Sequence, residues 1–303
     1  MYIVLNKYFS ISFFLVLVQL TYAQIGGKNG YDFLQFPTSS RMEALGGNIL
    51  SIKYKDNPDL SLSISNPCFL DSSFHKQLLI TNSFYTDKSN IGNIAFAYYH
   101  PKLKSTLSYV MQFASYGKFD ARDPAGNSLG NFRAADFNFQ VGIGRSIRRF
   151  YYGINLKLIV SHLEKYTSLG FATDVAIGYH HLKTNWTFSA IVRNAGVEMK
   201  PYFNESGRQK LPIALDFSFS KRFKKIPITI SVTAHDLQVW NLKFPEEEQT
   251  TSLLGASSKK NKRIEVIDNI FRHLAFGVEV QAGKPVQLRL GYNHLRRQEL
   301  GVG

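Results

Sequence analysis

Cysteine is nearly missing from this chain. Among 303 residues only Cys68 carries a thiol, so no internal disulfide can form and a stapled scaffold is excluded. Acidic residues are scarce: 22 Asp and Glu stand against 36 Lys and Arg, a formal net charge of +14. Beyond the N-terminus no stretch nears the roughly 18 consecutive apolar residues a spanning helix needs, which excludes a polytopic helical membrane protein. Signatures of catalysis are missing too. There is no H-E-x-x-H, P-loop or dinucleotide fingerprint, and eight histidines show no ligand spacing, so no metal or cofactor is expected. Apolar material is plentiful: 44% hydrophobic and 14% aromatic is too much to stay solvated, which excludes disorder. A soluble β-rich protein and a membrane barrel remain.

The N-terminus reads as an address. Lys7 precedes an apolar run from Ile11 to Leu20, and Thr21-Tyr22-Ala23 supplies a small residue for cleavage. Residues 1–23 are expected to be removed between Ala23 and Gln24, placing the protein beyond the inner membrane. That leaves no nucleic acid as partner. The counterparts expected of a basic envelope protein are outer-membrane lipid and lipopolysaccharide. Most cations, such as those in Arg145–Arg149 and Lys221–Lys225, read as ordinary turn residues.

From His75 onward, apolar and polar residues alternate with period two, the mark of strands. Phe137, Phe139, Val141 and Ile143 share one face, with Asp136, Asn138, Gln140 and Gly142 on the other. Eleven such strands follow residue 75, joined by links too short for helical crossovers, so neighbours should be antiparallel. The 152–160 and 169–179 segments are expected to pair about a turn centred between Lys165 and Tyr166. That register sets Lys157 opposite Asp174 as an interior charge pair.

Period alone does not say which face is buried. Three features point the apolar face outward, to lipid. Aromatics gather at strand ends (Phe84-Tyr85, Tyr98-Tyr99, Phe113 with Tyr116, Phe150-Tyr151-Tyr152, Tyr179, Trp186, Tyr292), as interfacial girdles do. The opposite face is small and polar, with mid-strand charges Lys157, Asp174, Asp216, Glu279 and Arg289. Eleven strands also exceed what a soluble sheet holds without splitting. The expected fold is therefore an all-β, antiparallel transmembrane barrel over 75–303. Residues 24–74 read as a hatch-like segment, with a short helix over Arg41–Leu45 capped by Pro37-Thr38-Ser39 and closed by Gly46-Gly47, and a turn at Asn66-Pro67. Residues 244–263 read as a polar insertion, followed by a short amphipathic helix around Ile264, Ile267 and Phe271.

Two matches to catalytic patterns read as chance. Gly126-Asn127-Ser128-Leu129-Gly130 fits G-x-S-x-G, but a nucleophile elbow needs a strand before it and a helix after it, and here strand residues follow. Ser73-Phe74-His75-Lys76 fits S-x-x-K without its companion motifs. No enzyme is expected.

Several short motifs, in order, resemble the PorQ-like family of type IX secretion proteins, grouped with PorV among FadL-like outer-membrane proteins. They are Gln24-Ile25-Gly26-Gly27, Tyr31, Phe33-Leu34, Pro37, Ser39, Arg41, Ala44-Leu45-Gly46-Gly47, and the Asn66-Pro67 turn. Tyr116-Gly117, Asp123, Gly126-Asn127, Gly130 and Asp136 continue the likeness, as do Asn194, Gly196, Phe271-Arg272-His273 and Gly291-Tyr292-Asn293. The resemblance implies a barrel of about fourteen strands in the bacterial outer membrane, without catalysis. It implies a scaffold in the complex that attaches secreted cargo to lipopolysaccharide, holding a PorZ-like surface protein beside PorU- and PorV-like components. It assigns no residue to the partner contact. A PorV-like cargo shuttle and a FadL-like passive channel for hydrophobic solutes are the neighbouring readings. Against fourteen strands, eleven ending near His294 lead to the expectation that the chain stops two or three strands early.

Overall fold

The computed structural model describes residues 29–53, 58–85, 89–203, 207–242, 262–282 and 286–299. The expected cleavage site at Ala23 and Gln24 lies outside them, as does nearly all of the 244–263 insertion. Among the described residues eleven strands form one antiparallel sheet in sequence order. They are β1 (Gln77–Phe84), β2 (Asn90–His100), β3 (Ser105–Arg122), β4 (Ser128–Ile147), β5 (Phe150–Leu163), β6 (Tyr166–His181), β7 (Trp186–Lys200), β8 (Ala214–Arg222), β9 (Ile228–Ala234), β10 (Leu274–Gln281) and β11 (Gln287–Asn293). β1 and β11 are the two edges among the described residues, and no pairing joins them there. Among the described residues four α-helices accompany it: α1 (Ser40–Ala44), α2 (Leu60–Ser65), α3 (Lys262–Arg272) and α4 (His294–Glu299).

Alternation decides the faces as expected. Phe139, Val141, Leu156, Val175 and Ile177 are exposed, while Asn138, Gln140, Asn155, Lys157 and Asp174 on the other side are buried. Ile177 is 62% exposed and Asp174 0%, the reverse of a soluble sheet packed on an apolar core. The aromatic clusters split between faces. Phe150 and Tyr152 point out, but Tyr151 points in, against Phe69.

The chain's own N-terminal segment packs against the polar face. Ser39 caps α1, its side chain accepting from Met42 N, and Gly46 and Gly47 end it at φ 92° and 83°. Such backbone angles favour glycine. Asn66 opens the next turn by accepting from Cys68 N at 3.2 Å and donating to Leu50 O at 2.6 Å. The segment touches the sheet from end to end. Thr38 O accepts from Thr81 on β1 and Asn93 on β2. Ile64 O accepts from Gln140 on β4 and Asn155 on β5, and Leu50 O from Ser189 on β7. Gly46 O accepts from Asn293 on β11. The segment thus bonds to strands at both edges of the sheet.

The β5–β6 register corrects an expectation. Phe150 pairs with Tyr179, Asn155 with Asp174, Lys157 with Ala172 and Leu163 with Tyr166. The pairing is therefore slipped by two residues from the expected one, about a turn of Glu164 and Lys165, with Glu164 at φ 57°. A slip of two keeps every side chain on its face, so facing could not detect it.

Candidate functional site: the polar face and its charge network

The interior face carries a set of charged side chains at which strands and N-terminal segment meet. Arg41, on α1, donates from Nε to Glu279 Oε2 at 3.0 Å and from Nη2 to Glu279 Oε1 at 2.9 Å, a two-pronged bond to β10. Its Nη1 reaches Asp59 Oδ2 at 2.9 Å, and Arg289 on β11 reaches Glu279 at 2.7 Å. The planar guanidinium suits this fork. Lys53 bonds Asp71 at 2.5 Å and lies 4.5 Å from the centre of the Tyr151 ring.

A second group sits on β5 to β8. Lys157 Nζ lies 2.8 Å from Asp174 Oδ2 and donates to Asn194 Oδ1 at 2.7 Å. The two charges are diagonal neighbours on the buried face, not directly opposed. A bulge in β7 opposite Asp174 makes the arrangement: the register skips between Thr173 and Val175, and Asn194 sits at φ 55°. Asn194 N then donates to Asp174 Oδ1 at 2.8 Å. Arg193, beside it, pairs with Asp216 at 2.6 Å. Asp136 accepts from Tyr116 at 2.7 Å and from Ser161.

Glycines let the segment approach. A Cβ on Gly153 would lie 2.4 Å from Pro67 C, and one on Gly144 2.5 Å from Leu70 Cβ. On the far strands a Cβ on Gly291 would lie 2.2 Å from Gly46 N. A cavity bounded by Arg41, Leu50, Lys53, Leu62 and Phe69 measures about 20 Å³, room for one water.

The loop motifs lie away from this face. Asp123 Oδ1 and Oδ2 accept from Asn127 N and Nδ2 at 2.8 and 2.9 Å, closing the β3–β4 hairpin, where Gly126 (φ 88°) and Gly130 (φ 97°) supply left-handed backbone. Ser128 begins β4, so a strand and not a helix follows it. Ser128→Ala should leave stability and partner recovery unchanged within error; a loss of either without unfolding would reopen a nucleophilic role. Sequence reasoning missed Arg193, Asp59 and Asp71; only their charge at polar-face or cap positions hinted at them.

Two segment carboxyls give a pH prediction. Burial raises the Asp59 and Asp71 values, but Ser61 with Arg41, and Lys53 with Ser73, outweigh it, so both titrate below the ordinary 3.8. A depressed value means stability present above 3.8 and lost as pH falls through the folded value. The segment should stay protected from protease through neutral and mildly acidic solution and loosen only in strong acid. Loosening near neutrality would contradict these ion pairs.

No family model matches the chain, and no curated protein matches it significantly.

Proposed function

We propose that this chain is a plugged β-barrel protein of the bacterial outer membrane. In this reading it serves as a scaffold of the type IX secretion attachment complex, holding a PorZ-like surface protein beside PorU- and PorV-like components. The observation that carries the membrane reading is the facing. A broad band of exposed Leu, Ile, Val and Phe surrounds a buried face of Asn, Ser, Gln and paired charges. Water would penalise that outer band, whereas acyl chains would not. The scaffold reading rests on the ordered PorQ-like motifs. Several of them lie where the segment meets the sheet or turns: Arg41, Gly46, Gly47, Asn66 and Pro67.

A FadL-like channel is the competing use of the same architecture, and would need the segment to move aside. The bonds from Arg41 to Glu279 and from Leu50, Ile64 and Gly46 to four strands oppose such movement. Affinity purification from gently solubilised outer membranes tests the choice. A scaffold should bring down a surface-exposed protein in near-stoichiometric amount, and liposomes containing it should show no saturable uptake of fatty acid. Recovery of the chain alone, together with saturable uptake, would decide for the channel.

A further inference from the structure

The two ends of the sheet differ in charge. One end holds the links β2–β3, β4–β5, β6–β7 and β8–β9. Residues 98–107, 144–153, 179–190 and 219–228, which form those links and the adjoining strand ends, contain ten Lys and Arg and no Asp or Glu. The cations are Lys102, Lys104, Arg145, Arg148, Arg149, Lys183, Lys221, Arg222, Lys224 and Lys225. At the other end the signs are mixed, with Asp120, Asp123, Glu164, Glu198 and Asp236 among Lys118, Arg122, Arg133, Lys165, Lys200, Arg208 and Lys210. The excess positive charge is thus concentrated on one rim, and solubility alone would not require that.

At one place the rim is shaped. The β6–β7 and β8–β9 links border an open cleft of about 390 Å³, lined by Lys183, Lys221, Arg222, Lys224 and Lys225 together with the apolar side chains of Phe223 and Ile226. Lys183, Lys224 and Lys225 have no ion-pair partner among the described residues. Lys221 lies on the outer face with its ammonium 4.5 Å from the centre of the Trp186 ring. Trp186 packs on Phe219, and Phe219 on Phe188, at 5.5 and 4.8 Å. The order along the outer surface is therefore aliphatic band, aromatic cluster, then cations. It matches the depth profile of a leaflet: acyl chain, interface, phosphate.

We infer that this cleft binds the phosphate headgroup of anionic phospholipid in the leaflet that meets this cationic rim. The inference rests on the membrane reading above, since the lipid is delivered by a bilayer that meets the outer face. Several lysines converging on one phosphate level favour anionic over zwitterionic lipid, whose ammonium cancels its charge. The contact is exposed, so salt should weaken it.

The test is reconstitution of the full chain into vesicles of phosphatidylcholine with or without phosphatidylglycerol, followed by native mass spectrometry of the lipid retained in detergent. Wild type should retain phosphatidylglycerol with roughly tenfold preference over phosphatidylcholine, falling in high salt. The variant Lys183→Gln/Lys221→Gln/Lys224→Gln/Lys225→Gln should lose most of that preference. Lys118→Gln/Arg122→Gln/Arg133→Gln/Lys165→Gln, at the mixed-charge end, should keep it. Inorganic phosphate at the same concentration should not compete; if it does, the site takes free phosphate and the lipid assignment fails. Equal loss in both variants, or no preference in wild type that has inserted, overturns the inference and leaves the membrane reading standing. Failure to insert even into phosphatidylcholine vesicles overturns both.

Discussion

Gly153→Val should drive the Pro67–Leu70 turn off the sheet. In a strand, valine ordinarily beats glycine, because glycine loses more backbone freedom on folding and has no side chain to pack. Here the added Cβ would meet Pro67 C at 2.4 Å and Pro67 O at 2.5 Å, both backbone atoms that no rotamer change can move. The same turn also lies against Gly144 and Gly178, where Cβ atoms would meet Leu70 Cβ at 2.5 Å and Cys68 Sγ at 2.9 Å. The turn therefore cannot slide sideways along the sheet and must lift from it. Overpacking of this kind costs about 3 kcal/mol, at the upper end of its usual range. The expected result is a lower denaturation midpoint together with at least roughly tenfold faster proteolysis within residues 29–74, the sheet itself remaining folded. An unchanged or raised midpoint would mean that the segment does not rest on the polar face.

Arg41→Met should be the most damaging single change within the segment. Arg41 is 7% exposed and holds two carboxylates, Glu279 on the sheet and Asp59 ahead of α2. Removing one member of a buried pair strands the other charge in a low dielectric, a loss of about 3–5 kcal/mol. The low end applies because Arg289 stays on Glu279 at 2.7 Å. Methionine keeps much of the apolar stem, so the loss reports charge more than packing. In a double-mutant cycle, adding Glu279→Gln should restore about 1 kcal/mol or more, since the carboxylate no longer needs its guanidinium. Additive losses would show that the two side chains do not share a bond.

The strands were legible because period two is a local signal. All eleven were readable, and so was the face of most strand residues, down to Lys157 and Asp174 lying together on the buried side. Register was not, for a physical reason. The β5–β6 turn is made by Glu164 and Lys165, neither a glycine nor an asparagine, so nothing in the sequence marked its centre. The continuation of β3 to Arg122 and of β4 from Ser128 was also hidden, because a shift in register between Ser115 and Lys118 breaks the alternation there. Tyr151 read as part of a girdle, although its place between two outward aromatics turns it inward. The interior network was the least legible part. Arg41 and Glu279 are 238 residues apart, and such a pairing leaves no periodic trace in either segment.

Every functional reading offered for this chain depends on what meets its outer face. Single cysteines at Ile177 and Phe139, both on that face, can carry a small fluorophore, while Cys68 is fully buried and stays unlabelled. In vesicles, a nitroxide on the lipid acyl chain should quench both labels strongly, and aqueous iodide should leave them nearly untouched. Labels reached by iodide and ignored by the nitroxide would show that the apolar face meets something other than lipid, and the outer-membrane account would be wrong.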